Sequence, residues 1–266
     1  MSIKLFFGKF GGFNLNRDFT VRKYSELLDA FKDAGYEFQT FRDFLKQPLD
    51  RVVILRHDVD RLPKNALKLA SLEYKKEISA TYYFRIKNHI FEPNIIEKIY
   101  NLDHEIGYHY EDVDLANGNI DKAFILFKKN LDCFRSITPI YTICMHGSPM
   151  SKYDNRALWE KYDYRSLGII GEPYFDIDYS NVFYLTDTGR KWNRNDVNIR
   201  DKVDTPFSWS FEGIDEIIIS IKKRKLPDQI MLNTHPHRWF DEFLPWFFEL
   251  IFQGFKNTIK KIYSTK

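Results

Sequence analysis

Most of this 266-residue chain alternates between two hydrophobic periods, and that alternation limits its fold more than any other feature. "VVIL" (52–55) is a branched apolar run; "PKNALKLASLEYKKE" then places Leu67, Ala70, Ser71 and Tyr74 at helical spacing behind Pro63. Proline suits the first turn of a helix, where its missing N–H would have no intrahelical partner. "SATYYFRI" (79–86) returns to β-branched and aromatic strand chemistry, "PNIIEKIYNL" to helix and "EIGYHY" (105–110) to strand. Asn119 stands where a helix cap is needed ahead of "IDKAFILFKKNLDCF". "IYTICMHG" (140–147), "SLGIIG", "NVFYLTD" and "QIMLNTH" (229–235) read as further strands, and "NRALWEKY" and "GIDEIIISIKK" as helices. Sustained alternation of this kind predicts parallel strands joined by helical crossovers.

With no linker rich in Gly, Pro or Ser and no internal repeat, residues 1–266 read as a single domain. Residues 1–50 form an N-terminal cap containing the amphipathic segment "TVRKYSELLDAFKDAGY", and residues 241–266 close the chain with a long aromatic helix. Five of the expected strands end in polar residues: Asp58 and Asp60, His109, His146, Asp187 and His235. In parallel α/β folds ligands bind at the C-terminal edge of the sheet. Bringing the ends of the first and last strands together is easier if the sheet closes. The expected fold class is therefore α/β, an irregular (β/α) barrel of about seven parallel strands.

Asp58 and Asp60 of "HDVD" lie two residues apart, so an extended backbone puts them on one face. Two such carboxylates repel unless a cation or a proton intervenes. Arg56, on the same face, could supply the charge by itself; a divalent metal is the other solution. Of the seven histidines, His57, His109, His146, His235 and His237 fall at strand ends or just beyond. Histidines converging with paired carboxylates suit a transition metal, most simply Zn²⁺ held by nitrogen and oxygen.

These residues resemble the polysaccharide deacetylases of the NodB-homology superfamily, carbohydrate esterase family 4, over roughly residues 50–240. "HDVD" is similar to the family's first motif, which implies Asp58 as catalytic base and Asp60 as metal ligand. "DHEIGYH" (103–109) is similar to the second, implying His109 as a ligand and His104 outside the metal shell. "IMLNTHP" is similar to the last, implying His235 as general acid. Two positions depart from the pattern. Val113 stands where the family has a further His, so the third ligand is drawn from His146 of "MHGSP" or from Glu111. "CMHGSPM" lacks the arginine that orients the base, which gives His146 a second candidate role there.

The implied activity is metal-dependent hydrolysis of an N- or O-acetyl group on a sugar or polysaccharide precursor. In "YLTDTGRKW" (184–192), Asp187, Arg190 and Trp192 are candidate substrate-binding residues at the barrel mouth, Trp192 either stacking on a sugar ring or packing the loop. Two rivals share parts of this pattern: an Asp-x-Asp glycosyltransferase, which does not need the later histidines, and an inactive sugar-binding relative that has lost its metal. A net charge of +3 with no dense basic block ahead of the C-terminus argues against nucleic acid as partner. Cys133 and Cys144 form no CxxC pair, and the apolar part of "MSIKLFFGKFGGFN" is short for a signal peptide, so a cytoplasmic location is expected. The aromatic terminal helix, with Lys256, Lys260 and Lys261, reads either as a peripheral membrane contact or as a helix packing its apolar face on the barrel. The packing reading is preferred. The sequence leaves the sugar and the oligomeric state open.

Overall fold

The computed structural model describes residues 17–148, 151–193 and 203–264, with side chains through Ile259. The N-terminal stretch through residue 16, and Pro149 and Met150 of the "CMHGSPM" segment, lie outside the described residues. In chain order the elements are α1 (Val21–Asp33), β1 (Glu37–Gln39), α2 (Phe41–Lys46), β2 (Val52–Val59), α3 (Pro63–Lys75), β3 (Thr81–Phe84), α4 (Pro93–Tyr100) and β4 (Glu105–Tyr110). They continue with α5 (Asp112–Leu115), α6 (Ile120–Arg135), β5 (Ile143–Met145), α7 (Leu158–Lys161), α8 (Pro173–Asp176), β6 (Phe183–Thr186), α9 (Ile214–Lys222), β7 (Gln229–Thr234) and α10 (Phe243–Ser264).

The sheet is all parallel, in the order β5-β4-β3-β2-β7-β6. It curls into a half-barrel, an irregular (β/α) barrel in which β5 and β6 are the ends. β1 pairs with the first half of β2, and β3 takes over the pairing from Arg56 onward. Helix starts follow local chemistry. Thr20 caps α1 by accepting the Lys23 N–H at 3.1 Å, Asn119 caps α6 by accepting the Lys122 N–H at 3.0 Å, and Pro63 opens α3.

Strand alternation sorts the core into two sides. Val53, Leu55, Tyr82, Phe84, Ile106, Tyr108, Leu185 and Leu232 belong to the larger cluster, which also takes in buried residues of α1, α3, α4 and α6. Ile54, Tyr83, Cys144, Tyr184 and Met231 form the smaller cluster on the inner side of the curl. Gly107 is required on that inner side, because a Cβ there would run into the Tyr83 ring.

Three expectations are corrected. "SLGIIG" is not a strand: it carries the end of a 3-10 turn (Tyr164–Leu167) closed by Gly168 at φ 74°, and only the Thr142–Gly171 bridge touches the sheet. The stretch expected to be only a cap contributes a sheet strand, β1, too short at three residues to show a period. The terminal helix does not pack its apolar face on the barrel: Phe248, Ile251 and Phe255 are exposed, whereas Glu249 and Gln253 are buried. Among the described residues, no helix is long and apolar enough to cross a membrane.

Candidate metal centre

Register determines which polar residues meet. Arg56, Asp58, His109, Cys144 and Asn233 all lie in phase with the inner-face residues Ile54, Tyr83 and Met231. Asp60, Arg85, Glu111, His146 and His235 continue the same phase just past the strand ends. His57 and Thr234 fall on the opposite face.

Asp58 is clamped. Arg56 donates to it through Nε at 2.9 Å and through Nη2 at 2.7 Å, and the Asn233 side chain donates at 3.1 Å. Burial opposes ionisation here, but the Arg56 guanidinium, with His109 and His235, outweighs it and holds the carboxyl at about 2. The arginine that "CMHGSPM" lacks has a counterpart in Arg56, two residues upstream of Asp58 on the same strand.

Asp60 differs. Its Oδ1 is buried and makes no hydrogen bond. It lies 3.5 Å from His146 Nε2 and 3.6 Å from His109 Nε2. Burial again opposes the charge, yet His146, His235 and His109 together hold this carboxyl well below the usual range. His109 Nδ1 lies 3.0 Å from the Cys144 carbonyl oxygen, so it carries the proton and leaves the Nε2 lone pair facing Asp60. Burial, the largest effect, lowers the His109 pKa to about 4, so the ring is neutral at pH 7, as a metal ligand's must be, and lends positive charge to the carboxylates only in acid.

These three residues fit a metal ion. Their donor atoms lie within 4.8 Å of one another, and tetrahedral ligands of zinc stand roughly 3.4 Å apart. Asp58, His109 and Cys144 form a second such group. That group already holds a cation, the Arg56 guanidinium, which makes it the poorer fit. Glu111 stands behind His146, its Oε2 3.3 Å from Nδ1, while Arg85 donates to its Oε1 at 3.0 Å. Burial works against this carboxylate, but His146 and Arg85 hold it at about 2. Glu111 therefore faces the outer nitrogen of His146 and is engaged by Arg85. Val113 lies in the core cluster on α5.

No family model matches this chain, and no curated protein matches it. Among solved structures it is similar to Bacillus subtilis PdaA, a family 4 carbohydrate esterase, at 13% identity over 79% of this chain and 86% of that one, with a TM-score of 0.39.

On the opposite rim, His235 Nε2 lies 3.9 Å from Asp60 Oδ2, and its Nδ1 lies 2.6 Å from Asp187 Oδ1. Asp187 is completely buried beneath it, accepting from Arg238 at 2.7 Å, from the Trp239 indole at 3.0 Å and from the His235 backbone at 3.0 Å. Expected at the substrate mouth, Asp187 instead has both oxygens occupied. Trp192 is also fully buried and stacks on Phe19, with centroids 5.7 Å apart, in keeping with the loop-packing alternative. Arg190 is buried over Phe19 and Trp246, and burial lowers its pKa to about 10. The 3-10 turn Thr188–Arg190 folds back against α10, where Arg190 donates to the Trp246 carbonyl oxygen at 3.3 Å.

Sequence reasoning missed Arg85 and Asn233, and gave Arg56 no role beyond neutralising charge. The signal for Arg56 and Asn233 was parity with Asp58 and His235 on their own strands, whereas only the β3–β4 register sets Arg85 beside Glu111. His104, expected outside the metal shell, accepts the Ala80 N–H at 3.1 Å and lies 3.0 Å from the Ala70 carbonyl oxygen on the outer face.

Proposed function

We propose that this protein is a metal-dependent hydrolase that removes an acetyl group from a sugar or saccharide precursor, with Asp60, His109 and His146 holding the ion, most simply Zn²⁺. The observation that carries the reading is the buried, unbonded Oδ1 of Asp60, faced by two histidine nitrogens at 3.5 and 3.6 Å. A buried carboxylate oxygen without a hydrogen bond is costly unless something binds there. When bound, such an ion acidifies a water and polarises an acyl oxygen.

The chain's own residues supply the proton handling. Asp58 remains ionised throughout the working range and is fixed by Arg56 and Asn233, so it waits as an oriented proton acceptor. Its low pKa makes it a weak base, suited to a water that is already acidic. His235, across Asp60 from the other two histidines, holds its Nε2 toward the centre while Asp187 fixes its Nδ1. In that position it can deliver a proton to a departing amine. Asp187 is then a positioning residue. An Asp-x-Asp glycosyltransferase would need both carboxylates open to one ion, and Arg56 and Asn233 close Asp58.

The test uses an N-acetyl saccharide and an activated acetyl ester. Asp58→Asn and His235→Ala are each expected to keep the metal and to lose turnover on the amide by roughly 10²–10⁴-fold. On the ester, which needs no acid, His235→Ala should cost much less than Asp58→Asn. Equal impairment of both substrates by His235→Ala removes His235 from the acid role and turns attention to His237. Absence of acetate release from any acetylated saccharide refutes the reaction.

A further inference from the structure

α10 is turned inside out. Its buried side chains are polar: Glu249 accepts two hydrogen bonds from Arg61 at 3.1 Å each, and Gln253 donates to Asn257 at 2.8 Å. Asn257 in turn donates to the Gly189 carbonyl at 2.8 Å. The apolar side chains face outward, with Leu244, Phe248, Ile251 and Phe255 exposed by 63%, 66%, 57% and 66%. Phe247 and Phe252 lie between them and are also exposed. Counted at 100° per residue, these six positions cover roughly 140° of the helix circumference, and Phe243 and Leu250, also exposed, widen the arc to roughly 200°. Contiguous exposed apolar surface of this kind marks an interaction site.

Breadth and charge identify the occupant. A partner helix covers a narrow two-position seam, whereas a continuous apolar medium covers a wide arc. Beyond Glu249 the sequence has four lysines, Lys256, Lys260, Lys261 and Lys266, and no carboxylate. The Lys256 ammonium lies 4.4 Å from the Phe252 ring centroid, so cation and aromatic surface are interleaved. Aromatic surface beside lysine suits an anionic headgroup layer, and the helix is not apolar enough to cross a membrane. We infer that α10 docks this protein on an anionic lipid surface, lying in its plane with the aromatic face in the acyl boundary. Arg61, held by Glu249 of this helix, directly follows Asp60, so docking sets the candidate metal centre beside the lipid. Resting on the reading under Proposed function, the substrate class that follows is a saccharide carried on a lipid.

The experiment is co-sedimentation of the full chain with vesicles of phosphatidylcholine alone or mixed equally with phosphatidylglycerol. Binding is expected on the mixed vesicles and should weaken with added salt and on phosphatidylcholine alone. The triple variant Phe248→Glu, Ile251→Glu, Phe255→Glu should lose roughly tenfold or more in vesicle affinity while keeping its metal content and Tm. Failure of the wild type to bind mixed vesicles overturns the docking; a dimer in light scattering that the triple variant splits would then assign the face to a second copy. Undiminished binding by the triple variant overturns it equally. Vesicle binding without acetate release from any saccharide supports the docking and refutes the proposed reaction. Equal turnover on free and lipid-carried saccharides keeps the reaction and overturns the substrate class.

Discussion

His57 and Asp58 are neighbours on β2 but belong to two clusters built in different ways. On the outer face, Glu73 is completely buried and both of its oxygens are taken. The Tyr24 hydroxyl donates to Oε1 at 2.6 Å, His57 Nε2 lies 2.9 Å from the same atom, and the Tyr82 hydroxyl donates to Oε2 at 2.7 Å. His57 Nδ1 meets Thr234 Oγ1 at 2.7 Å. On the inner face Asp58 is satisfied in the same manner, but Asp60, two residues on, keeps an oxygen with no hydrogen bond. A saturated cluster ties α1, α3, β2 and β3 together. An unsaturated one costs stability unless something binds there.

Glu73→Ala breaks the closed cluster and should have the largest effect on stability. Two hydroxyls and a ring nitrogen would lose their acceptor in a buried site, a cost of about 3–5 kcal/mol in denaturant unfolding. Metal stoichiometry should be unchanged. The acid limb of the stability profile checks the same cluster. Burial opposes the Glu73 charge, but His57, His104 and Tyr24 hold its carboxyl at about 2 against an ordinary 4.5. A depressed carboxylate stabilises the fold above its unfolded pKa, and that stability drains as pH falls from about 4.5 toward about 2. Glu73→Ala should therefore flatten the wild-type slope in that window; an unchanged slope would show that Glu73 is not ionised there.

Glu111→Gln sharpens the comparison with a smaller effect on the open cluster. Glu111 backs His146 and also holds Arg85, whose Nη1 stands 3.9 Å from Asp60 Oδ1. Loss of the carboxylate slackens His146 and leaves a competing cation near Asp60. Metal affinity should fall by about 10–100-fold in a Zn²⁺ titration, with little change in unfolding. If affinity stays the same, Glu111 takes no part in supporting the centre.

How much of this could be read from the sequence depended on whether period or partner was the missing information. The parallel sheet and its C-terminal edge followed from alternation, and β4 runs from Glu105 to Tyr110 as its pattern predicts. Period also separates His57 from Asp58, although a count of histidines at strand ends obscured it. Partners were harder. That Asp187 lies beneath His235, and that Trp192 meets Phe19, depends on a turn whose direction no period encodes. The arginine that holds Asp58 was hidden by its closeness, since Arg56 could be read equally as a structural counter-ion. In α10 the apolar pattern was correctly read as a face, but a pattern cannot tell which side of a helix the barrel occupies.

Metal analysis of protein purified without chelator, followed by Zn²⁺ titration, tests the central claim most directly. One equivalent of a divalent ion is expected in the wild type and in His104→Ala, whose ring bonds to Ala70 and Ala80 on the far face. Asp60→Ala and His109→Ala should each lose it. Full metal retained by both ligand variants, or a wild type that takes up no Zn²⁺, would contradict the account.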